Sequence, residues 1–341
     1  MVTLQAVAKL AGVSRATASR ALTGNPRVSP SALRAVERAA QKLGYVPNAA
    51  ARTLTTGRTD TVALVIAEPT QMVFGDPFFG RLVRGIGDVI ADNEKQLILL
   101  MPQSSEAKRL VRYVLEGHVD GALLASLHQG HPLPELLAKR GIPFVIGGRP
   151  AHPDRFSYVD VDNVGGARAA VGHLVSMGRR TIATICGPSD MPAGQDRRLG
   201  YRLAIEAAGP ARDAGLEEPT SFSREGGIAA MRRLLQRRPG LDAVFAASDL
   251  QASGALQVLA EAGRRVPEDV AVVGFDDHPF AASMHPQLSS VHQPIEAMGH
   301  EMARLLLETM RSPRQPPRRV LLGTELRVRS SSAGSRSRRG R

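Results

Sequence analysis

Arg15, Thr17 and Arg20 put two forked cations and a hydroxyl on the short stretch RATASRAL, and such groups donate to phosphate oxygens and base edges. Ala18, Ala21 and Leu22 are spaced to face inward on a helix, which leaves Arg15, Ala16, Thr17 and Arg20 outward. Ser14 stands where its hydroxyl caps that helix. Upstream, Thr3 caps a first helix whose Leu4, Val7, Ala8 and Ala11 recur at i, i+3, i+4 and i+7, and Gly12 supplies the turn between the two. Two short helices about a glycine turn predict a helix-turn-helix, whose second helix enters the DNA major groove by its N-terminal residues. An ordinary helical hairpin has the same pattern, so the following elements matter. Ser29-Pro30 caps and opens a third helix carrying Ala32, Leu33, Val36, Ala39, Ala40 and Leu43, closed by Gly44. After Tyr45-Val46-Pro47, Asn48 is placed to cap a short helix over 49–54 that ends at Thr55-Thr56-Gly57, and this reads as a hinge.

The charge distribution agrees with a phosphate-binding head. The 341-residue chain carries a formal +12, of which +7 lies in residues 1–60 and +6 in residues 327–341, so the long middle is nearly neutral at −1. That length predicts a small domain plus a larger one of one or two lobes. Cys186 is the only cysteine, which excludes an internal disulfide and a thiolate metal cluster and fits a reducing cytoplasm. No run approaches the ~20 apolar residues of a membrane span, so no membrane association is expected. Residues 330–341, SSSAGSRSRRGR, read as a basic disordered tail.

From Thr61 onward, short β-rich runs (TVALVIA, QLILLM, GALLA, FVIGG, YVDV) alternate with helical stretches near 78–93, 105–116 and 134–140. A second series (TIATICG, DAVFAA, VAVVGF) alternates with helices near 163–177, 195–208, 227–237 and 249–263. Each series predicts a parallel sheet built by βαβ crossovers, and a ligand held between two such lobes meets residues at the carboxyl ends of strands from both.

With these elements in view, the chain resembles the LacI/GalR family of bacterial transcription regulators. The headpiece motif is carried by Thr3, Leu4, Val7, Ala8, Ala11, Gly12, Val13, Ser14, Thr17, Ser19, Arg20 and Leu22, and the hinge motif by Tyr45, Pro47, Asn48, Ala51, Arg52 and Leu54. Ala18 replaces the family's usual valine. In the body, Asp76-Pro77-Phe78-Phe79, the 145–149 stretch VIGGR, Arg197 to Tyr201, Ala247-Ser248-Asp249, the 266–277 stretch VPEDVAVVGFDD, and 286–294 stand at family motifs. The resemblance implies a small all-α helix-turn-helix headpiece (1–46), a hinge helix and linker (47–59), and a two-lobed α/β periplasmic-binding-protein-like domain (60–329). In that domain the first lobe takes about 60–160 and 293–319, and the second about 161–290 and 320–329.

The resemblance also implies roles. Thr3, Ser14, Arg15, Ala16, Thr17, Ser19 and Arg20 contact operator DNA, joined by Asn48, Ala51 and Leu54 of the hinge, with Leu54 wedged into the minor groove. Asp76, Phe78, Phe79, Arg149, Arg197, Ser248, Asp276 and Gln293 bind a small polar effector, a sugar or related metabolite. Flat apolar rings, forked donors and a carboxylate acceptor suit a polyol. Gly148, where the family often has Asp, and Ser248, where it often has Asn, depart from the usual sugar-site pattern. Read one at a time, these residues have plainer explanations: the Phe pair as core, Arg197 as surface charge, Asp276 and Asp249 as helix caps. The function implied is a homodimeric, effector-controlled repressor acting on a near-palindromic operator, cytoplasmic and on the nucleoid when bound, with no cofactor or metal. His128 and His131 read as solvated loop residues. An enzyme is the main alternative, but Gly85-Ile86-Gly87 falls inside a helix and neither a phosphate-binding GxxxxGK[ST] loop nor a GxSxG elbow occurs. An exported solute receptor is another, against which a headpiece stands in place of a signal segment.

Overall fold

The computed structural model describes residues 2–23, 27–46, 57–101, 112–209, 214–312 and 314–333. The chain divides into two compact units, one holding the N-terminal residues to Thr61 with Gly117–Asp120, the other the remainder.

In the first unit, α1 (Leu4–Ala11), α2 (Arg15–Leu22) and α3 (Pro30–Leu43) start where cap residues stand. The hydroxyl of Thr3 accepts the Ala6 N–H, that of Ser14 the Thr17 N–H, and that of Ser29 the Ala32 N–H. Gly12 and Gly44, at φ 65° and 62°, close α1 and α3 in the left-handed conformation that side chains resist. Val7, Ala8, Ala18, Ala21, Val36, Ala39 and Ala40 form the core, with Ala18 fully buried.

The second unit has two six-stranded sheets. In chain order its elements are β1 (Thr61–Ile66), α4 (Thr70–Gly75), α5 (Pro77–Asp92), β2 (Gln96–Leu100), β3 (Gly121–Ala125), α6 (Leu133–Arg140), β4 (Phe144–Gly147) and β5 (Tyr158–Val161). There follow α7 (Asn163–Ser176), β6 (Ile182–Cys186), α8 (Pro192–Ala208), β7 (Glu217–Pro219), α9 (Arg224–Arg237), β8 (Ala243–Ala246), α10 (Asp249–Glu261), β9 (Ala271–Asp276) and β10 (Ser289–His292). The chain then adds α11 (Ile295–Arg311), β11 (Arg319–Leu322) and β12 (Glu325–Arg327). The first sheet runs β11-β5-β4-β3-β1-β2 and the second β12-β10-β9-β8-β6-β7. Strand β12 pairs antiparallel with β10, whereas β1–β3, β3–β4, β4–β5, β5–β11, β6–β7, β6–β8, β8–β9 and β9–β10 are parallel. Strands buried along their whole length, such as β3, β6 and β9, read as continuous apolar runs because helices cover both faces. The chain crosses between sheets at 161–163, 292–295 and 322–325.

Three expectations change. Strand β11 pairs with β5, so the first lobe extends to Leu322 and the second resumes at β12, not at 320. Ser331 and Ser332 are buried: Ser331 Oγ donates to the Val272 carbonyl at 2.6 Å and Ser332 Oγ to Ser289 Oγ at 2.7 Å. The expected tail therefore starts inside the fold, and 334–341 lie outside the described residues. Helix α11, absent from the sequence reading, supplies Ile295, Met298, Met302, Leu305 and Leu306 to the first lobe's core. Its backbone approaches α5 so closely that a Cβ on Gly85 would lie 2.1 Å from the Glu296 carbonyl oxygen. No helix among the described residues is long and apolar enough to cross a membrane.

Candidate functional site

On α2, Arg15, Ala16 and Arg20 are exposed and Thr17 and Ser19 half-buried, as an outward face requires. Ser14 Oγ lies 2.9 Å from Thr17 Oγ1, and Arg20 Nε donates to the Ala16 carbonyl at 3.3 Å. Thr3 and Ser14 serve as caps while remaining exposed. Asn48, Ala51 and Leu54 lie outside the described residues.

In the second unit a cavity of about 280 Å³ opens at the carboxyl ends of strands from both sheets. Its volume is close to the lower end of ordinary small-molecule sites, about 300 Å³. Asp76, Phe78, Phe79, Arg149, Arg197, Asp276 and Gln293 all line it. Ser248 does not; its hydroxyl caps α10 by accepting the Gln251 N–H at 3.2 Å, which removes it from the expected set. Asp249, expected as that cap, is instead buried and accepts from the His278 N–H at 2.8 Å and from Ser290 Oγ at 2.5 Å.

The polar floor is centred on Arg197, which is buried rather than a surface charge. Its Nε donates to Asn163 Oδ1 at 2.9 Å, and its Nη1 to the Ala247 carbonyl at 2.6 Å and to Asp276 Oδ1 at 3.2 Å. The guanidinium lies 3.7 Å from the centroid of Phe275 and 5.5 Å from that of Phe222. Asp276 ends β9 at φ 110°, a strained conformation that turns its carboxylate onto Arg197 and onto Gln293, whose Nε2 donates at 2.6 Å. Burial raises the Asp276 carboxyl above its ordinary range against the pull of Arg197, and Arg197 keeps its charge because arginine does not deprotonate in proteins. Asp160, at the end of β5, is pushed up to about 6 by burial, although it accepts from the Val161 and Arg149 N–H groups. His278 Nε2 lies 3.2 Å from Asp76 Oδ1 and 3.7 Å from Asp276 Oδ2; burial opposes its charge, but these carboxylates raise its pKa.

The aromatic residues divide. Phe79 belongs to the first lobe's core, and Phe78, edge-on to it at 5.3 Å, is the more accessible ring. Arg149 lines the cavity with its guanidinium held to Asp196 of the second lobe by two hydrogen bonds at 3.0 and 2.6 Å. Glu68, Ser126, His128, Asn163 and Phe222 also line the cavity and were not expected. His128 is no solvated loop residue, since its Nδ1 lies 2.7 Å from Asp190 Oδ2. His131 is half-buried and its Nδ1 accepts the Leu133 N–H. No group of three or more metal-ligating side chains occurs among the described residues.

Residues 3–48 match the model for bacterial regulatory proteins of the lacI family, and residues 171–332 that for a periplasmic binding protein-like domain. The chain is 51% identical over 332 residues, 96% of its length and 98% of the relative's, to the HTH-type transcriptional regulator CelR of Thermobifida fusca. It is 31% identical over 335 residues, 97% of its length and all of the relative's, to the Ribose operon repressor of Escherichia coli (strain K12). A solved CelR–cellobiose complex superposes with a TM-score of 0.78 at 48% identity, covering 97% of this chain and 100% of that one. The lac repressor dimer bound to operator and the anti-inducer ONPF shares the fold, with a TM-score of 0.84 at 23% identity over 97% of this chain and 99% of that one. A capped helix-turn-helix, a two-lobed body with a polar cleft at its strand ends, and these full-length similarities together mean that the chain belongs to the LacI family of bacterial transcription regulators.

Proposed function

We propose that this protein is a homodimeric repressor that releases a near-palindromic operator when a β-linked disaccharide of the cellobiose type binds in the inter-lobe cleft. The observation that carries the reading is the polar floor of that cleft. Arg197, Asp276, Gln293 and Asn163 come from four different segments and converge on one cavity bordered by the Phe222 and Phe78 rings. Forked donors, amides and carboxylates bind paired hydroxyls, and flat rings bind the apolar faces of sugars, so a saccharide is the chemistry this wall complements. The cellobiose complex of CelR, 48% identical to this chain, supports the choice of disaccharide.

The DNA roles divide between Arg15, Ala16, Thr17, Ser19 and Arg20 against the major groove and Asn48, Ala51 and Leu54 in the hinge, with Thr3 and Ser14 at the phosphates. Such a protein works in the cytoplasm, on the nucleoid. Ligand and operator affect one another only if each prefers a different lobe arrangement. Thermal melting of the full chain with cellobiose, ribose and glucose is the direct test. Cellobiose raises the melting temperature at concentrations where the two monosaccharides do not, and equal shifts from all three refute the disaccharide.

A further inference from the structure

Across the cleft mouth, one histidine stands between carboxylates of the two lobes. Glu68, just after β1, is only 6% exposed and lines the cavity. Its Oε1 accepts from Ser126 Oγ at 2.8 Å and lies 3.3 Å from His128 Nε2. Ser126 is held at φ 56°, a left-handed conformation unfavourable for serine, at the end of β3. The other ring nitrogen, His128 Nδ1, lies 2.7 Å from Asp190 Oδ2, on the segment of the second lobe that leads into α8. The adjoining Gln129 N–H donates to the Asp190 carbonyl at 2.8 Å, and Gln129 Nε2 to Gln195 Oε1 at 3.1 Å. A neutral imidazole has one N–H, yet both nitrogens here face carboxylates, so the arrangement calls for the doubly protonated ring.

We propose that His128 is a positioning residue of the cleft: as imidazolium it clamps the ligand-facing Glu68 of the first lobe to Asp190 of the second, so that closure about a ligand takes up a proton from solvent. The inference rests on the effector reading above for the ligand, though not for the clamp itself. The titratable groups around the ring are Glu68 from the first lobe, Asp190 from the second and His131 in its own loop. Partial burial opposes the charge, but the Asp190 hydrogen bond and the two carboxylates outweigh it and raise the pKa of His128, whereas burial and His128 itself lower that of His131. With the lobes apart, Asp190 no longer contributes and the ring returns toward its ordinary value. The clamp is therefore fully present below the open-form pKa and is lost as pH rises through the raised, closed-form one.

The test uses Asp190→Asn, which leaves Glu68 and His128 in place, in the full-length protein. Ring titration by NMR of histidine-labelled protein, with the His128 signal assigned by its loss in His128→Gln, should give a midpoint above the ordinary ~6.5 in the wild type and a lower one in Asp190→Asn. An unchanged midpoint in that variant overturns the proposal. Calorimetry with cellobiose in buffers of different ionisation enthalpy should show more proton uptake in the wild type than in Asp190→Asn. At pH 6 the variant's affinity should be about threefold weaker, as suits a pair with Asp190 largely exposed. Equal proton uptake also overturns the proposal. If cellobiose gives no heat with the wild type, the disaccharide reading fails while the ring titration still decides the clamp.

Discussion

Replacing Arg197 by Met removes the centre of the polar floor while retaining much of the side chain's volume over Phe275. Asp276 keeps Gln293 but loses its ion-pair partner at full burial, and Asn163 Oδ1 and the Ala247 carbonyl lose donors. Breaking a buried pair from one side destabilises by about 3–5 kcal/mol. In a unit of this size that lowers the melting temperature by about 10 °C. Asp276 can relieve part of the loss by protonating. Its folded-state pKa, already raised, rises further without Arg197, so the deficit is greatest at high pH and shrinks as pH falls toward 5. Adding Asp276→Asn removes the stranded charge, and asparagine tolerates the positive φ at that position. The double variant should recover at least half of the lost stability yet bind no effector. Scanning calorimetry at pH 5 and pH 8, beside ligand titration, reads both quantities. Wild-type melting in Arg197→Met, or wild-type ligand affinity in the double variant, refutes the reasoning.

Three further outcomes follow from particular contacts. Gly85→Ala should destabilise by about 1–3 kcal/mol because its Cβ meets the α11 backbone, whereas Gly87→Ala, with nothing within 4 Å, should stabilise α5 by up to ~1 kcal/mol; denaturant melts of the pair distinguish packing from helix propensity. Asp160 has a folded-state pKa of about 6, above its ordinary value, so it favours the fold most at low pH. Relative to Asp160→Asn, the wild type should lose about 2 kcal/mol of stability between pH 4 and pH 6, measured by urea unfolding across that window. Arg15→Ala should relax base preference at one position of each half-site when binding sites are selected from random DNA, while Leu54→Ala should reduce bending of the selected site without changing its consensus.

The headpiece was legible because its determinants are local: a hydroxyl three residues before an N–H, a glycine at a helix end, an apolar row at helical spacing. The strand ends that build the cleft were legible from alternating β-rich and helical stretches, and the motifs identified seven of the eight expected effector residues as cavity-lining. What each polar group is engaged in was not legible, because its partner lies far along the chain. Asp196 neutralises Arg149 from 47 positions away, and Glu68 meets His128 from a neighbouring strand. Ser248 illustrates a local rule that the family motif obscured, since a serine before a helix caps it. Helix α11 has plain apolar spacing but was not read from it; it returns to the first lobe from β10 of the second, before β12 completes the second sheet, against the expectation that sequence neighbours pack together.

Control of the headpiece by the cleft can be measured as operator binding at equilibrium, with a site selected from random DNA, in the presence and absence of saturating cellobiose. A dimer should bind a near-palindromic site with an affinity that falls at least tenfold with cellobiose, and no such fall should occur in Arg197→Met at temperatures where that variant is folded. Cellobiose bound in the cleft with operator affinity unchanged would contradict it.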